Sequence, residues 1–349
     1  MLIARAPVRL RLGGGASTLS NGHQREDEIL VSAAISYYVY AILSARPSGR
    51  VQITSADCRS FCQHPTCEDL MWNLPHAVTS YFNVQEGLGI FLASQVPPGS
   101  CLAASRSVAT SMVKALAFWC GLDIGPQQAA ELASAIEVDE VGVPLGRHDY
   151  YAVALGGLNA IRSSGNSVEV EPVALTESTL QGLEAGLMLF HTQSAPDSLP
   201  ILEWRNRGDG GNGHQRQRRL DRIRDLGIET IAALERSQLL TFGDLLHQSW
   251  LERRQLMGIA GSSLDLCYQA AREQGALGGD VIPAGCGSFL MLYCPPERQN
   301  AVQETLAPRG LRPWPLKLEP EGVQVMQAIS WPQSQIPFPA LSSQPEIGN

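Results

Sequence analysis

The chain has 349 residues, a formal net charge of −8, 44% apolar and 17% charged residues. That is material for one large or two ordinary folded domains, and it excludes a disordered chain. The acidic balance without a long basic run excludes nucleic acid as the main partner.

No apolar run approaches the roughly 20 residues that span a bilayer, so no membrane partner is expected. The N-terminal "MLIARAPVRLRLGGG" lacks the basic, apolar and small-residue order of a leader, which predicts a cytoplasmic location.

In chain order, "LIARAPVRLRLGG" alternates around Val8, Leu10 and Leu12 as a strand and runs into a turn at Gly13–Gly15. "ILVSAAISYYVYAILSAR" and "GRVQITSAD" read as further strands, rich in Val, Ile and Tyr. Helical spacing predicts helices over Ser105–Cys120 and Pro126–Glu140, the second with proline in its first turn. "YYAVALGGLNAIRSS", "SVEVEPVAL" and "GLMLFHTQ" read as strands, the first broken at Gly156 and Gly157. A glycine-rich polar stretch between Asn206 and His214 reads as a mobile loop. Helices are then expected over Leu220–Ser237, Thr241–Met257 and Ser262–Gln274, and "RQRRLDRIR", Arg216 to Arg224, reads as a solvated helix face. "GSFLMLYC" and "GVQVMQAIS" are strand-like around a helical "PERQNAVQETLAPRG". The Pro- and Ser-rich tail, residues 331–349, is expected to be disordered. The whole reads as two α+β units, residues 1–175 and 176–330.

The eight cysteines are dispersed, and in a reducing compartment most should be free thiols. Cys58, Cys62, His64 and Cys67 cluster, but their spacing matches no common paired-cysteine zinc pattern. An ordinary loop with incidental thiols is the expectation.

Three glycine-bearing segments punctuate the chain: "LGGGAST", "PPGSCLAAS" before a helix and "PAGCGSF" before a late strand. A turn that feeds a helix start offers unpaired N–H groups and the positive dipole end to a phosphate. Together with "RAPVRLRLGGG", "IEVDEVGVPLGRHDYYAVALGGLN", "SWLERRQLMGIAGSSLD" and "AAREQGALGGDVIPAGCGSFLMLY", they make nearly the whole chain, up to about Gln327, resemble the GHMP small-molecule kinases. Within these the heptose 7-phosphate kinase branch is the most similar, through "GRHDYYAVALGGLN".

The resemblance implies a two-domain α+β fold, with an N-terminal domain like ribosomal protein S5 domain 2 and a ferredoxin-like C-terminal domain. It implies ATP and Mg²⁺ as cofactors and a small-molecule sugar or sugar phosphate as partner, leaving a homodimer open. Asp149 matches the family's catalytic aspartate, and Arg9 a basic residue that either neutralises phosphate charge or pairs with Asp149. Ser105 and Glu137 match the magnesium ligands, a hydroxyl and a carboxylate. Pro98, Gly99, Ser100, Cys101, Leu102, Ala103, Ala104, Ser105 and Arg106 form the phosphate loop, and Gly14, Gly15, Thr18, His148, Gly156, Gly157, Arg253, Gly285 and Gly287 the acceptor side.

The chain departs from the pattern in that loop. Cys101 and Ala103 replace glycines, and Ala104 and Arg106 replace serines. A Cβ at a left-handed position costs about 1 kcal/mol or more. Arg106 either points to solvent or supplies positive charge to the phosphates. Thr18 replaces an aspartate, His148 a glutamine, and Pro283, Cys286 and Ser288 stand at glycine positions. An active sugar kinase is the leading reading; the alternative is a catalytically impaired relative that binds a sugar phosphate or a protein.

Overall fold

The computed structural model describes residues 1–15, 28–55, 74–84, 86–97, 100, 102–137, 146–165, 167–192, 213–282 and 288–328. The Cys58–Cys67 cluster and the 331–349 tail lie outside the described residues, as do residues 206–212 of the expected loop.

The first unit is built on β1 (Leu2–Gly14) and the 23-residue β2 (Glu28–Arg50), followed by β3 (Gln52–Ser55), helix α1 (74–81) and β4 (Glu86–Ser94). Then come α2 (Ala104–Trp119), α3 (Pro126–Ile136), α4 (His148–Leu155), β5 (Leu158–Ser164) and β6 (Ser167–Pro172). β2 is long enough to serve two neighbours on one side: Glu28–Ala33 pair with β5, and the stretch from Val39 pairs with β4. On its other side it pairs with β1, with register shifts after Pro7 and Arg11. Such bulges re-aim the side chains beside them, here Arg9 and Arg11. Against this seven-stranded sheet, Met112, Val113, Leu116, Ala133 and Tyr150 pack with Leu43, Leu88 and Ile90 as one core.

The second unit holds α5 (Glu177–Gly186), β7 (Leu187–Thr192), α6 (Gly213–Glu235), α7 (Leu239–Leu256), α8 (Ser263–Glu273), β8 (Gly278–Ile282), β9 (Ser288–Tyr293), α9 (Gln299–Leu306) and β10 (Leu311–Trp314). Its four-stranded antiparallel sheet runs β10-β7-β9-β8. The last strand, β11 (Gln324–Ala328), leaves this sheet and pairs with β1, so the chain closes back on the first unit. A further core joins the units, with Val8, Leu10 and Ile35 packed among Phe242, Phe289 and Met291. Among the described residues no helix is long and apolar enough to cross a membrane.

Two expectations change. Tyr150–Leu155, read as strand, are the body of α4. Residues 150–154 are all buried, so apolar periodicity carries no information there. The helix expected from Leu220 starts already at Gly213. Its basic face is solvated, as expected, and carries ion pairs: Arg219 with Glu252 on α7 at 2.5 Å, and Arg222 with Glu229 at 2.8 Å.

Candidate active site

Arg9 and Asp149 come from elements 140 positions apart, β1 and the first turn of α4. Arg9 Nε and Nη2 both donate to Asp149 Oδ1, at 3.0 and 2.6 Å. Burial works against the charged carboxyl, yet the Arg9 guanidinium, with His148 and Arg106 adding to it, holds Asp149 well below the usual carboxylate range. The carboxylate is therefore ionised at neutral pH, with Oδ1 committed to Arg9. His148, 1% exposed, places Nε2 3.6 Å from Asp149 Oδ1 and Nδ1 3.5 Å from Glu28 Oε2.

The Arg9 backbone ties this pair to the loop that opens α2, because its N–H donates to Leu102 O at 3.1 Å. Ala103, the N-cap of α2, has φ 63° and ψ 26°, a left-handed conformation that favours glycine. The loop thus holds an alanine in a geometry that favours glycine. Ser107 fixes the helix start by donating from Oγ to Pro7 O at 2.7 Å. Ser105 is exposed in the first turn of α2, and Ser100 is buried.

Arg106 folds across the helix start. Its Nη1 donates to Ser105 Oγ at 2.7 Å and lies 3.8 Å from Glu137 Oε1. Burial pushes the Glu137 carboxyl up from its usual value; the Arg106 charge opposes this and Asp149 adds to it. The residues expected to ligate Mg²⁺ thus already share a cation. Mg²⁺ needs oxygen ligands at about 2.0–2.1 Å, and an Arg106 nitrogen stands between Ser105 Oγ and Glu137 Oε1. Among the described residues no group of three or more His, Cys, Asp or Glu side chains offers a metal site. With Arg106 in this place, the residues present do not fit a magnesium ion held between Ser105 and Glu137.

The expected acceptor-side residues divide. Gly14 and Gly15 have φ +66° and +69°, and a Cβ on Gly14 would overlap the Ile29 carbonyl. Arg253, on α7, is 1% exposed and donates from Nη2 to the carbonyl oxygens of Gly14 and Gly15. It buttresses the first turn from behind. Burial lowers its pKa to about 9, with the Arg11 charge adding and Asp280 opposing, and a guanidinium remains protonated at neutral pH all the same. Gly156 and Gly157 end α4 against the returning chain: a Cβ on Gly156 would overlap Glu321 and Gly322, and Gly157 N–H donates to Glu319 O at 2.8 Å. Thr18, Pro98, Gly99, Cys101, Gly285 and Gly287 lie outside the described residues.

Sequence reasoning missed Ser107, Glu28 and the Arg11–Asp280 ion pair, 2.6 Å long, which joins β1 to β8 across the two units. One signal was available. Arginines at positions 5, 9 and 11 interrupt an otherwise apolar strand, which implies polar partners for them within the fold.

Residues 70–157 match the model of the GHMP kinases N-terminal domain. The chain is 26% identical over 314 residues to a D-glycero-alpha-D-manno-heptose 7-phosphate kinase of Campylobacter jejuni, covering 86% of this chain and 92% of that protein. It is 23% identical to a mevalonate kinase of Thermococcus sibiricus, covering 94% and 99%. In structure it resembles a D-glycero-D-manno-heptose 1-phosphate kinase from Bacteriodes thetaiotaomicron, with a TM-score of 0.74 at 22% identity over 95% of this chain and 100% of the other. The α+β fold and its two sheets agree with these similarities, and residues 70–157 carry the match to the GHMP kinases N-terminal domain.

Proposed function

We propose that the chain is an ATP-dependent sugar kinase that transfers the γ-phosphoryl group to a sugar hydroxyl, with the anomeric hydroxyl of a heptose 7-phosphate or a related sugar as acceptor. The similar proteins are named as kinases, two of them for heptose phosphates, and their chemistry is phosphotransfer to an alcohol acceptor. The supporting observation is the buried Arg9–Asp149 pair, held through Arg9 N–H against the loop that opens α2.

In this reading the N–H groups that open α2, together with the helix dipole, receive the phosphates. Asp149 is ionised and anchored through one oxygen, leaving its other oxygen to accept the acceptor hydroxyl and align it. Its lowered pKa makes it a weak base, which suits a loose phosphoryl-transfer transition state where the proton leaves late. No step passes through a metal between Ser105 and Glu137. A cytoplasmic location is part of the same reading.

A coupled ADP-release assay over a panel of aldoses and aldose phosphates tests it. Turnover is expected, with Asp149→Asn lowering kcat by about 100-fold or more. Absence of turnover on every sugar, together with absence of ATP binding by calorimetry, overturns the proposal. The left-handed Ala103 favours a second reading, an impaired kinase that retains only binding. That reading expects ligand binding without turnover and a cellular role untouched by Asp149→Asn.

A further inference from the structure

We propose that Arg106 is the resident cation of the phosphate site, so that this chain grips a nucleotide polyphosphate without a divalent ion between Ser105 and Glu137. The inference rests on the kinase reading for the identity of the ligand. Its physical basis is independent of that reading.

A single atom carries the geometry. Arg106 Nη1 is 2.7 Å from Ser105 Oγ and 3.8 Å from Glu137 Oε1, so it bridges the hydroxyl and the carboxylate that a divalent ion would bridge. The side chain is held in place, not waving in solvent: its exposure is 12%, that of Glu137 is 7%, and the guanidinium carbon lies 5.6 Å from the Tyr150 ring centre. The anions around it need a counter-charge. Asp149 is ionised, Arg106 is one of the groups that keep it so, and Glu137 Oε2 is buried without a hydrogen-bond partner among the described residues.

A guanidinium supplies such a charge permanently, at any divalent-ion concentration. It also carries five N–H donors in a planar fork. Nη1 already uses a donor on Ser105, and the fork has others left for phosphate oxygens, where charge-assisted bonds are strong. Two demands on the loop are met by the same side chain: a donor that reaches further toward the phosphates than a Cβ-bearing loop can approach, and a positive charge in place of a divalent ion. This explains why an arginine is compatible with a position next to a phosphate-facing serine.

Isothermal calorimetry with ATP, run with excess Mg²⁺ and again with excess EDTA, tests the proposal on the wild-type chain, Arg106→Ser and Arg106→Lys. The wild-type affinity is expected to differ by less than about threefold between the two conditions, while Arg106→Ser loses at least about tenfold in EDTA and regains binding with Mg²⁺. Arg106→Lys keeps the charge and is expected to retain metal-free binding. Wild-type binding that disappears on chelation overturns the inference and leaves the kinase reading standing, as does metal-free binding by Arg106→Ser that equals wild type. Loss of metal-free binding in Arg106→Lys as complete as in Arg106→Ser also overturns it. Absence of ATP binding by the wild type in both conditions overturns both.

Discussion

Two tight turns border the candidate site, and they have met substitution differently. The turn at Gly14 and Gly15 has its glycines, whereas the loop opening α2 holds Ala103 where the resemblance led to an expectation of glycine. Both turns use left-handed backbone, with φ +66° at Gly14 and 63° at Ala103. The difference lies in what surrounds them. A Cβ on Gly14 would overlap the carbonyl of Ile29, the same oxygen that accepts from Gly15 N–H at 2.7 Å. At Ala103 the Cβ is accommodated in a buried position, and only the dihedral cost remains. A glycine required by close backbone approach is therefore retained, while one required by conformation alone is replaceable at about 1–2 kcal/mol.

Breaking the buried pair beside the second turn gives the largest expected effect. Arg9 is bonded to Leu102 of that loop through its backbone and to Asp149 through its side chain. Arg9→Ala strands a buried carboxylate and should destabilise the chain by about 3–5 kcal/mol in denaturant unfolding at pH 7. The folded Asp149 carboxyl titrates below its unfolded value. The pair's contribution is therefore fully present above about pH 4 and is lost as the pH falls toward the folded value. The gap between wild type and variant should narrow at pH 3.5; a gap of constant size would contradict the pairing.

Gly14→Ala tests the first turn directly. Overlap plus dihedral strain predicts a loss of about 2–4 kcal/mol and a lower melting temperature by calorimetry, and a neutral result would remove the contrast between the turns. Ala103→Gly tests the second in the opposite sense. Relief of left-handed strain should raise stability by about 1 kcal/mol at most, since glycine also adds freedom to the unfolded chain. A loss of stability there would show that the Ala103 Cβ contributes packing that outweighs its strain.

Much of this was legible in the residues. The strand from Leu2 and the helices after Pro97 and Pro126 follow from local patterns, whereas Asp149, Arg9 and Glu137 were assigned to one site through the family resemblance. Those patterns depend on neighbouring residues alone, and that is why they survive in a bare sequence. The helix at Tyr150–Leu155 was not legible, because burial on all sides erases the periodicity that tells helix from strand.

What the sequence by itself determined was the family resemblance, the α+β class and the chemical inventory of the site. Only the tertiary structure decided how that inventory is used: Arg9 on Asp149, Arg253 behind the Gly14 turn, β11 back on β1, and Arg106 where a divalent ion was expected. The reason is range. A side chain's type and its local spacing are written in a few consecutive residues, but the partner of a buried charge is chosen by whichever distant element packing brings within a few ångströms.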